Sequence, residues 1–355
     1  MFDALLNVAP YCLPQAQKSA MLLPGLSELV HYHYANCPPY ARIIDIVWGG
    51  LKPYGSVADI PYVPVSIFKQ LELATTKTPT IVMQSSGTTG QMRSRIIVDN
   101  ETAERQSAAL VSTFRPILGE RRLPFLVLDT RDVVKATGLT ARGAGVLGMM
   151  KFGAKTTFAL DSALHLDKGA VKTFLAANGG ATFLIFGFTY LIWSKLYQGY
   201  SDGELDLSNA ILIHSGGWKK LEAEKISNAD FRAALRRRFN MTNIHNFYGF
   251  VEQIGSVFIE GADGLLYPPN FTDVVIRRPD NWEPAEVGEE GVIQVVCLLP
   301  RSYPGHSVLT EDIGAVVAVD AGAGGRLGKA IRVSGRVAKA ELRGCSDVIA
   351  ASQAA

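Results

Sequence analysis

Residues 80–99 read TIVMQSSGTTGQMRSRIIVD. Two β-branched runs, Thr80–Gln84 and Arg95–Asp99, predict two short strands. Between them, Gln84–Gln91 carries two glycines and four hydroxyls, Ser85, Ser86, Thr88 and Thr89. Gly87 and Gly90 let the backbone approach a ligand closely, and successive N–H groups in such a loop can point at phosphate oxygens. No Lys follows the second glycine, so this is not a Walker A loop. Nor is a G-x-S-x-G read in the chain, so a hydrolase nucleophile elbow is not expected. An isolated Ser/Gly cluster reads most plainly as a polar surface turn, so the surroundings decide.

Outward from this stretch the chain alternates. Helices are predicted over Glu101–Leu118, Ala141–Met150, Lys168–Ala177, Tyr190–Tyr197 and Lys219–Phe239, the last a long one ending in a basic cluster. Strands are predicted over Pro124–Asp129, Lys155–Leu160, Thr182–Phe186, Ala210–His214 and Asn243–Phe247. Such β/α alternation is the signature of a largely parallel, doubly wound sheet. After Gly255 the helices stop. Asp263-Gly264 is a turn signal, and short strands follow at Val274–Arg277, Val292–Leu299, Ala315–Val319 and Ala330–Val333. The first 75 residues mix helical patches with a proline-punctuated stretch. The expectation is an α/β protein: a doubly wound core over 1–255 with an N-terminal helical extension, a β-rich part of the same core over 256–334, and a tail over 335–355.

The 355 residues are 48% hydrophobic and 19% charged, which excludes disorder. The balance of 35 basic against 33 acidic residues leaves +2, so net charge points to no nucleic acid or acidic polymer. The densest apolar run, Ala181–Trp193, is shorter than the ~20 residues a spanning helix needs. Asp3 and the lack of a basic start give no secretory signal, and the expected location is cytoplasmic. Cys12, Cys37, Cys297 and Cys345 form no CxxC, so neither zinc nor a disulfide framework is expected. Cys297 sits in an apolar run and reads as a small buried hydrophobe.

Ser86-Gly-Thr-Thr-Gly90 resembles the phosphate-binding loop of the adenylate-forming superfamily, and further matches follow in that superfamily's order. His214-Ser215-Gly216-Gly217 ends a strand where the superfamily has a Gly-rich segment along adenine. Phe247-Tyr-Gly-Phe-Val-Glu252 resembles its Tyr-Gly-x-Thr-Glu motif. The resemblance implies that Tyr248 and Gly249 lie against adenine and that Glu252 holds Mg²⁺. Thr310-Glu-Asp312 is similar to Thr-Gly-Asp, whose Asp binds ribose, and Gly335-Arg336 to the inter-domain hinge. Taken alone, Glu252 reads as a solvated strand-end carboxylate and Asp312 as a turn former between apolar strands. ATP and Mg²⁺ are the implied cofactors, with Ser85–Gly90, His214–Gly217, Tyr248, Gly249, Asp312 and Arg336 around the nucleotide.

The pattern departs from the superfamily in three places. Met92-Arg-Ser-Arg95 stands where most members have Pro-Lys, and Thr-Glu-Asp replaces Thr-Gly-Asp. The chain ends ten residues after Cys345, so the mobile C-terminal domain with its adenylation lysine is expected to be lacking. Lys329 and Lys339 are the candidate replacements. One branch is similar throughout: the acyl-protein synthetases of bioluminescence fatty-acid reductase systems. The matching segments are Tyr32–Tyr40, Ile60–Phe68, Ser85–Gly90, Gly216–Lys219 and Gly335–Cys345. In that branch a cysteine near the C-terminus accepts the acyl group, which here implies Cys345. Independently, Cys345 lies in a polar segment where Arg336, Lys339 and Arg343 face Glu341 and Asp347, and nearby cations favour the nucleophilic thiolate.

The implied activity is ATP-dependent conversion of a carboxylic, typically fatty, acid to acyl-AMP. Thioester formation on Cys345 and transfer to a reductase-like subunit or carrier follow. The alternatives are an acyl- or aryl-CoA ligase, an NAD(P)-dependent oxidoreductase and a non-catalytic nucleotide- or acyl-binding module. The oxidoreductase would need Gly143-Ala-Gly-Val-Leu-Gly148 to be a cofactor loop, but this run follows no strand directly and reads as a helix packed through small residues. Phe186, Phe188, Tyr190 and Trp193 read as core with an acyl pocket as the alternative. His31, His33, His245 and His306 lack metal spacing, and Arg236–Arg238 reads as a solvated helix cap.

Overall fold

The computed structural model describes residues 2–84, 94–135 and 139–337. Two compact units form. Described residues up to Thr113 and from Gly249 onward make the first, and Phe114–Tyr248 make the second. The first opens with α1 (Phe2–Leu6), α2 (Gln15–Asn36), α3 (Pro38–Trp48), β1 (Val63–Pro64), α4 (Ile67–Gln70), β2 (Ile81–Gln84), β3 (Arg95–Val98) and α5 (Asn100–Leu118). The second holds β4 (Leu123–Thr130), β5 (Leu139–Thr140), α6 (Ala141–Met150), β6 (Gly153–Leu160), α7 (Lys168–Asn178), β7 (Phe183–Phe188), α8 (Thr189–Leu191), β8 (Ala210–Ser215), α9 (Asn228–Phe239) and β9 (Asn243–Tyr248). The chain then returns to the first unit with β10 (Phe258–Glu260), β11 (Leu266–Tyr267), β12 (Thr272–Arg277), β13 (Gly291–Cys297), β14 (Ser307–Val319) and β15 (Lys329–Arg336).

In the second unit the strands pair in parallel in the order β6-β4-β7-β8-β9. Strands covered on both faces need continuous apolar runs, and FLIFGF of β7 and AILIHS of β8 supply them. Phe174 of α7 and Phe231, Leu235 and Phe239 of α9 close over Phe183, Ile185 and Leu212 to make the core. Ligands of such sheets bind beyond the carboxyl ends of the strands, where β7, β8 and β9 deliver Phe188, Ser215 and Tyr248.

The strands of the first unit pair antiparallel except β1, which runs parallel to β14. β12, β13, β14 and β15 run in that order, β15 pairs with β11, and β11 with β10. β2 and β3 pair antiparallel with Gln84 opposite Arg95. The amphipathic face of α2 (Leu22, Leu26, Leu29, Val30) packs with Phe2, Phe271, Val275 and Val296. Segments far apart in sequence therefore share one core.

Three expectations are corrected. The helix expected over Lys219–Phe239 breaks: residues 219–224 form 3₁₀ turns, and Ser227 caps α9 by accepting from the Asp230 amide at 3.0 Å. The helix at 190–197 is a three-residue α segment continued by the π-helix Ile192–Tyr197, with the Gln198 amide reaching Trp193 O at 3.0 Å. Asp312 lies inside β14 and not in a turn, because β13 and β15 pair with that strand on both sides of a bulge at Ile313/Gly314.

Candidate functional site

At the carboxyl end of β8, His214 is buried, with Nδ1 3.0 Å from Thr189 Oγ1 and its ring 4.8 Å from that of Phe231. Burial, aided by Arg232 and His245, pushes its pKa down to about 3, so the imidazole is neutral and helps to lock the strand end. The Ser215 hydroxyl donates to Phe247 O at 2.8 Å and ties the end of β8 to β9. The chain then leaves the sheet through Gly216, whose φ of +84° favours glycine and whose Cβ would stand 3.2 Å from the Phe188 ring. Gly217 has open space where a Cβ would be, and both glycines are exposed. Tyr248, half-buried, ends β9. A bare glycine ledge and an aromatic ring on adjacent strand ends can accept a flat heteroaromatic group.

In the first unit Glu252 occupies a 3₁₀ turn, Val251–Gln253, and is 4% exposed. The solvated strand-end reading is thereby corrected. Its carbonyl accepts from the Tyr303 hydroxyl at 2.8 Å. The neighbouring Gln253 side chain donates to Val295 O at 3.0 Å and to Gly305 O at 2.8 Å. A Cβ on Gly305 would lie 2.8 Å from Glu252 O. A Cβ on Gly255, at φ +88°, would lie 2.8 Å from Gln106 Cα. Both glycines are there because backbone passes too close for a side chain. The turn is thus fixed from β13, from α5 and from the Tyr303–Gly305 segment. Burial raises the pKa of the Glu252 carboxyl. A hydrogen bond from Ser94, the residue's own amide and the charge of Lys69 oppose the rise, while Glu311 adds to it.

No group of three or more His, Cys, Asp or Glu that could hold a metal ion occurs among the described residues. A lone buried carboxylate does not make a resident metal centre. It does fit a hard cation that arrives with phosphate and water oxygens of its own, since Mg²⁺ commonly takes only one or two carboxylates from a protein.

Asp312 and Arg336 sit opposite each other across β14 and β15, with Nε 3.2 Å from Oδ1. The guanidinium side is 77% exposed and the carboxylate side 16%. Thr310 is turned inward, donating to Ile293 O at 2.8 Å and accepting from the Asp312 amide at 3.1 Å. Lys329 is already committed. It donates to Asp273 at 3.1 Å and to Val274 O at 2.6 Å, within a buried cluster that includes Lys18 and Gln15.

Ser85, Ser86, Gly87, Thr88, Thr89 and Gly90 lie outside the described residues, as do Lys339 and Cys345. The 143–148 run lies inside α6, capped by Thr140, with Gly145 facing the rings of Phe186 and Phe188. It has no phosphate-loop geometry. A literal G-x-S-x-G is present, at Gly199–Gly203, a correction to the sequence reading. It follows the π-helix and not a strand, and the Ser201 amide is occupied by Glu204 at 2.9 Å, so it makes no elbow. Cys297 is buried with its thiol pushed up to about 11 by burial, as its apolar run implied. His33 and His306 stack at 5.0 Å beside Tyr40, buried and held neutral by burial. Arg238 is not merely solvated, since it pairs with Asp202 at 2.6 Å and lies over the Tyr197 ring. Tyr303, Ser94 and Lys69 were not legible as site residues, because none belongs to a short motif and all are brought to Glu252 by long-range packing.

Residues 1–354 match the acyl-protein synthetase family, LuxE. The chain is 22% identical over 301 residues to the long-chain-fatty-acid–luciferin-component ligase of Aliivibrio fischeri, covering 81% of this chain and 77% of that protein. It is 24% identical over 345 residues to the Vibrio harveyi protein of the same name, covering 94% and 87%. Among solved structures, an open conformation of 2-hydroxyisobutyryl-CoA ligase with 2-HIB-AMP and CoA superposes with a TM-score of 0.66 at 13% identity, over 93% of this chain and 77% of that one. The postadenylation state of the same ligase gives 0.65 at 14% identity, over 92% and 69%. These likenesses establish the fold.

Proposed function

From the premise that this chain belongs to the acyl-protein synthetase (LuxE) family, we propose that it activates a long-chain fatty acid with ATP as acyl-AMP and then forms an acyl thioester on Cys345 for a partner protein. The relatives named for a long-chain fatty acid and a luciferin component support that substrate class. A reductase-like subunit or a carrier is the acceptor this reading calls for. No helix among the described residues is long and apolar enough to cross a membrane.

The observation that carries the reading is Glu252, a buried carboxylate held in a turn whose backbone is fixed by Tyr303. The carboxylate of the acid attacks the α-phosphorus while pyrophosphate leaves, so like charges must meet, and oriented charge and donors do most of the work. Mg²⁺, when bound with ATP, screens the phosphates and orients them. Glu252 would hold it from the protein side. Ser85–Gly90 would cradle phosphate, Gly216, Gly217 and Tyr248 would receive adenine, and Asp312 would accept from ribose hydroxyls. His214 would keep the ledge rigid, and Gly249 would lie against adenine beside Tyr248. Arg336 orients Asp312 by its ion pair. The thiol of Cys345 then attacks the acyl carbon, forming the C–S bond, breaking the bond to AMP and losing its proton.

ATP–pyrophosphate exchange across a panel of acids tests the first half, and intact mass before and after hydroxylamine tests the second. Long-chain acids are expected to support exchange and to leave a labile acyl adduct. Cys345→Ser is expected to keep exchange and lose the adduct. An adduct persisting in that variant refutes the assignment, and exchange that no acid supports refutes adenylation.

A further inference from the structure

Bringing a carboxylate against a polyphosphate calls for a fixed cation beside the phosphates. Lys329 is spent on Asp273. Near Glu252 a different lysine qualifies. Lys69 lies in α4, whose Ile67 and Phe68 are buried. The Val65 amide just before the helix donates to Leu309 O at 2.8 Å, and β1 pairs with β14 at Val308 and Leu309, three residues before Asp312. The Phe68 ring meets that of Tyr303 edge-on at 6.1 Å, and Tyr303 is the residue whose hydroxyl holds Glu252 O. One packed path therefore runs from α4 through Tyr303 to the Glu252 turn. Lys69 is half-buried, and its ammonium forms no hydrogen bond or ion pair among the described residues. Among the described residues, the charges that act on Glu252 include those of Lys69 and Glu311.

We propose that Lys69 is a catalytic residue of adenylation, its ammonium contacting phosphate oxygens of ATP beside Glu252. The carboxylate oxygen of the acid forms the new O–P bond at the α-phosphorus. The bond from that phosphorus to the bridging oxygen breaks, and its electron pair leaves with pyrophosphate. The Lys69 ammonium offsets the charge that develops on the leaving group. This rests on the reading of Glu252 as the carboxylate facing Mg²⁺ and ATP.

The test compares Lys69→Met, Lys69→Arg and Glu252→Gln in the full chain. It uses pyrophosphate exchange, calorimetric titration with Mg²⁺ and ATP, and thermal unfolding without ligands. Lys69→Met is expected to lower kcat for exchange about 100-fold. It should leave the KM of the acid unchanged, weaken calorimetric ATP binding and leave the ligand-free melting temperature close to that of the parent. Lys69→Arg, which keeps the charge with different reach, is expected to recover roughly a tenth of the lost rate or more. If Lys69→Met exchanges at the parental rate while Glu252→Gln is crippled, the assignment of Lys69 alone falls. If neither variant changes exchange or ATP binding, the reading of Glu252 falls and takes Lys69 with it. A loss in Lys69→Met that is matched by a collapse of the ligand-free melting temperature makes Lys69 structural and overturns the proposal.

Discussion

Two buried carboxylates of the first unit, Asp273 and Glu252, are handled in opposite ways. Asp273 on β12 accepts from Gln15 Nε2 at 2.7 Å and Lys329 Nζ at 3.1 Å, and the buried ammonium of Lys18 adds a second positive charge. Burial alone would raise its pKa, but Lys329 and Lys18 outweigh it and hold the carboxyl below the usual range. Glu252 is nearly as deep, yet burial wins there over Ser94, its own amide and Lys69, and its carboxyl is raised. The Asp273 cluster is electrostatically closed and joins α2, β12 and β15. The Glu252 turn is mechanically closed but electrostatically open. An acid that the fold holds firmly and leaves short of positive charge is poised for a cation to complete.

Breaking the closed cluster has the largest expected effect on stability. Asp273→Ala strands Lys18 and Lys329 without their carboxylate and is expected to lose about 3–5 kcal/mol in urea unfolding, as when one partner of a buried pair is removed. A loss below about 1 kcal/mol would show the cluster to be incidental.

Glu252→Gln reverses the pattern, with adenylation lost and the fold kept. Its pH dependence carries a sign. The folded pKa is raised, so between the unfolded value near 4.3 and the folded value the native chain binds more protons than the unfolded chain. Glu252's contribution to stability is therefore present below that window and fades as pH rises through the folded pKa. Relative to the parent, Glu252→Gln is expected to gain stability from pH 4 to pH 8 in parallel urea titrations. A variant that instead loses stability as pH rises would place Glu252 in the same class as Asp273.

The smallest effect is expected of Tyr303→Phe, which removes only the hydroxyl on Glu252 O. It should cost about 1–2 kcal/mol while raising the Mg²⁺ concentration needed for half-maximal ATP binding, measured by calorimetry. An unchanged Mg²⁺ requirement would mean that the turn keeps its shape without that hydrogen bond.

Legibility in the sequence followed the range of the forces involved. The central parallel strands β4, β7 and β8 of the second unit could be read because each is a largely apolar run, and α6 could be read over Ala141–Met150 because its small-residue pattern is local. His214–Gly217, Tyr248 and Glu252 stand out in the sequence by the order of their motifs. The burial of Glu252 was not, because it depends on Tyr303 and Gln253 reaching across to β13 and the 303–305 segment. Asp312 looked like a turn former because β14 carries Thr310-Glu-Asp in mid-strand, a polar insertion tolerated only between two paired neighbours. Nothing in the sequence around Lys18 sets it apart, and it is the fold that buries it, with Nζ donating to Pro268 O at 2.8 Å.

The first unit is assembled from both flanks of the second, and this has a consequence during synthesis. Phe2, Leu22, Leu26 and Leu29 find Phe271, Val275 and Val296 only after Phe114–Tyr248 has been translated. At roughly 5–20 residues per second that delay is on the order of 10 s. The second unit is contiguous and can close its own core as it leaves the ribosome. The N-terminal helices must meanwhile wait with their apolar faces uncovered, which makes them the segment a chaperone would meet first and the one most exposed to aggregation when expression is fast.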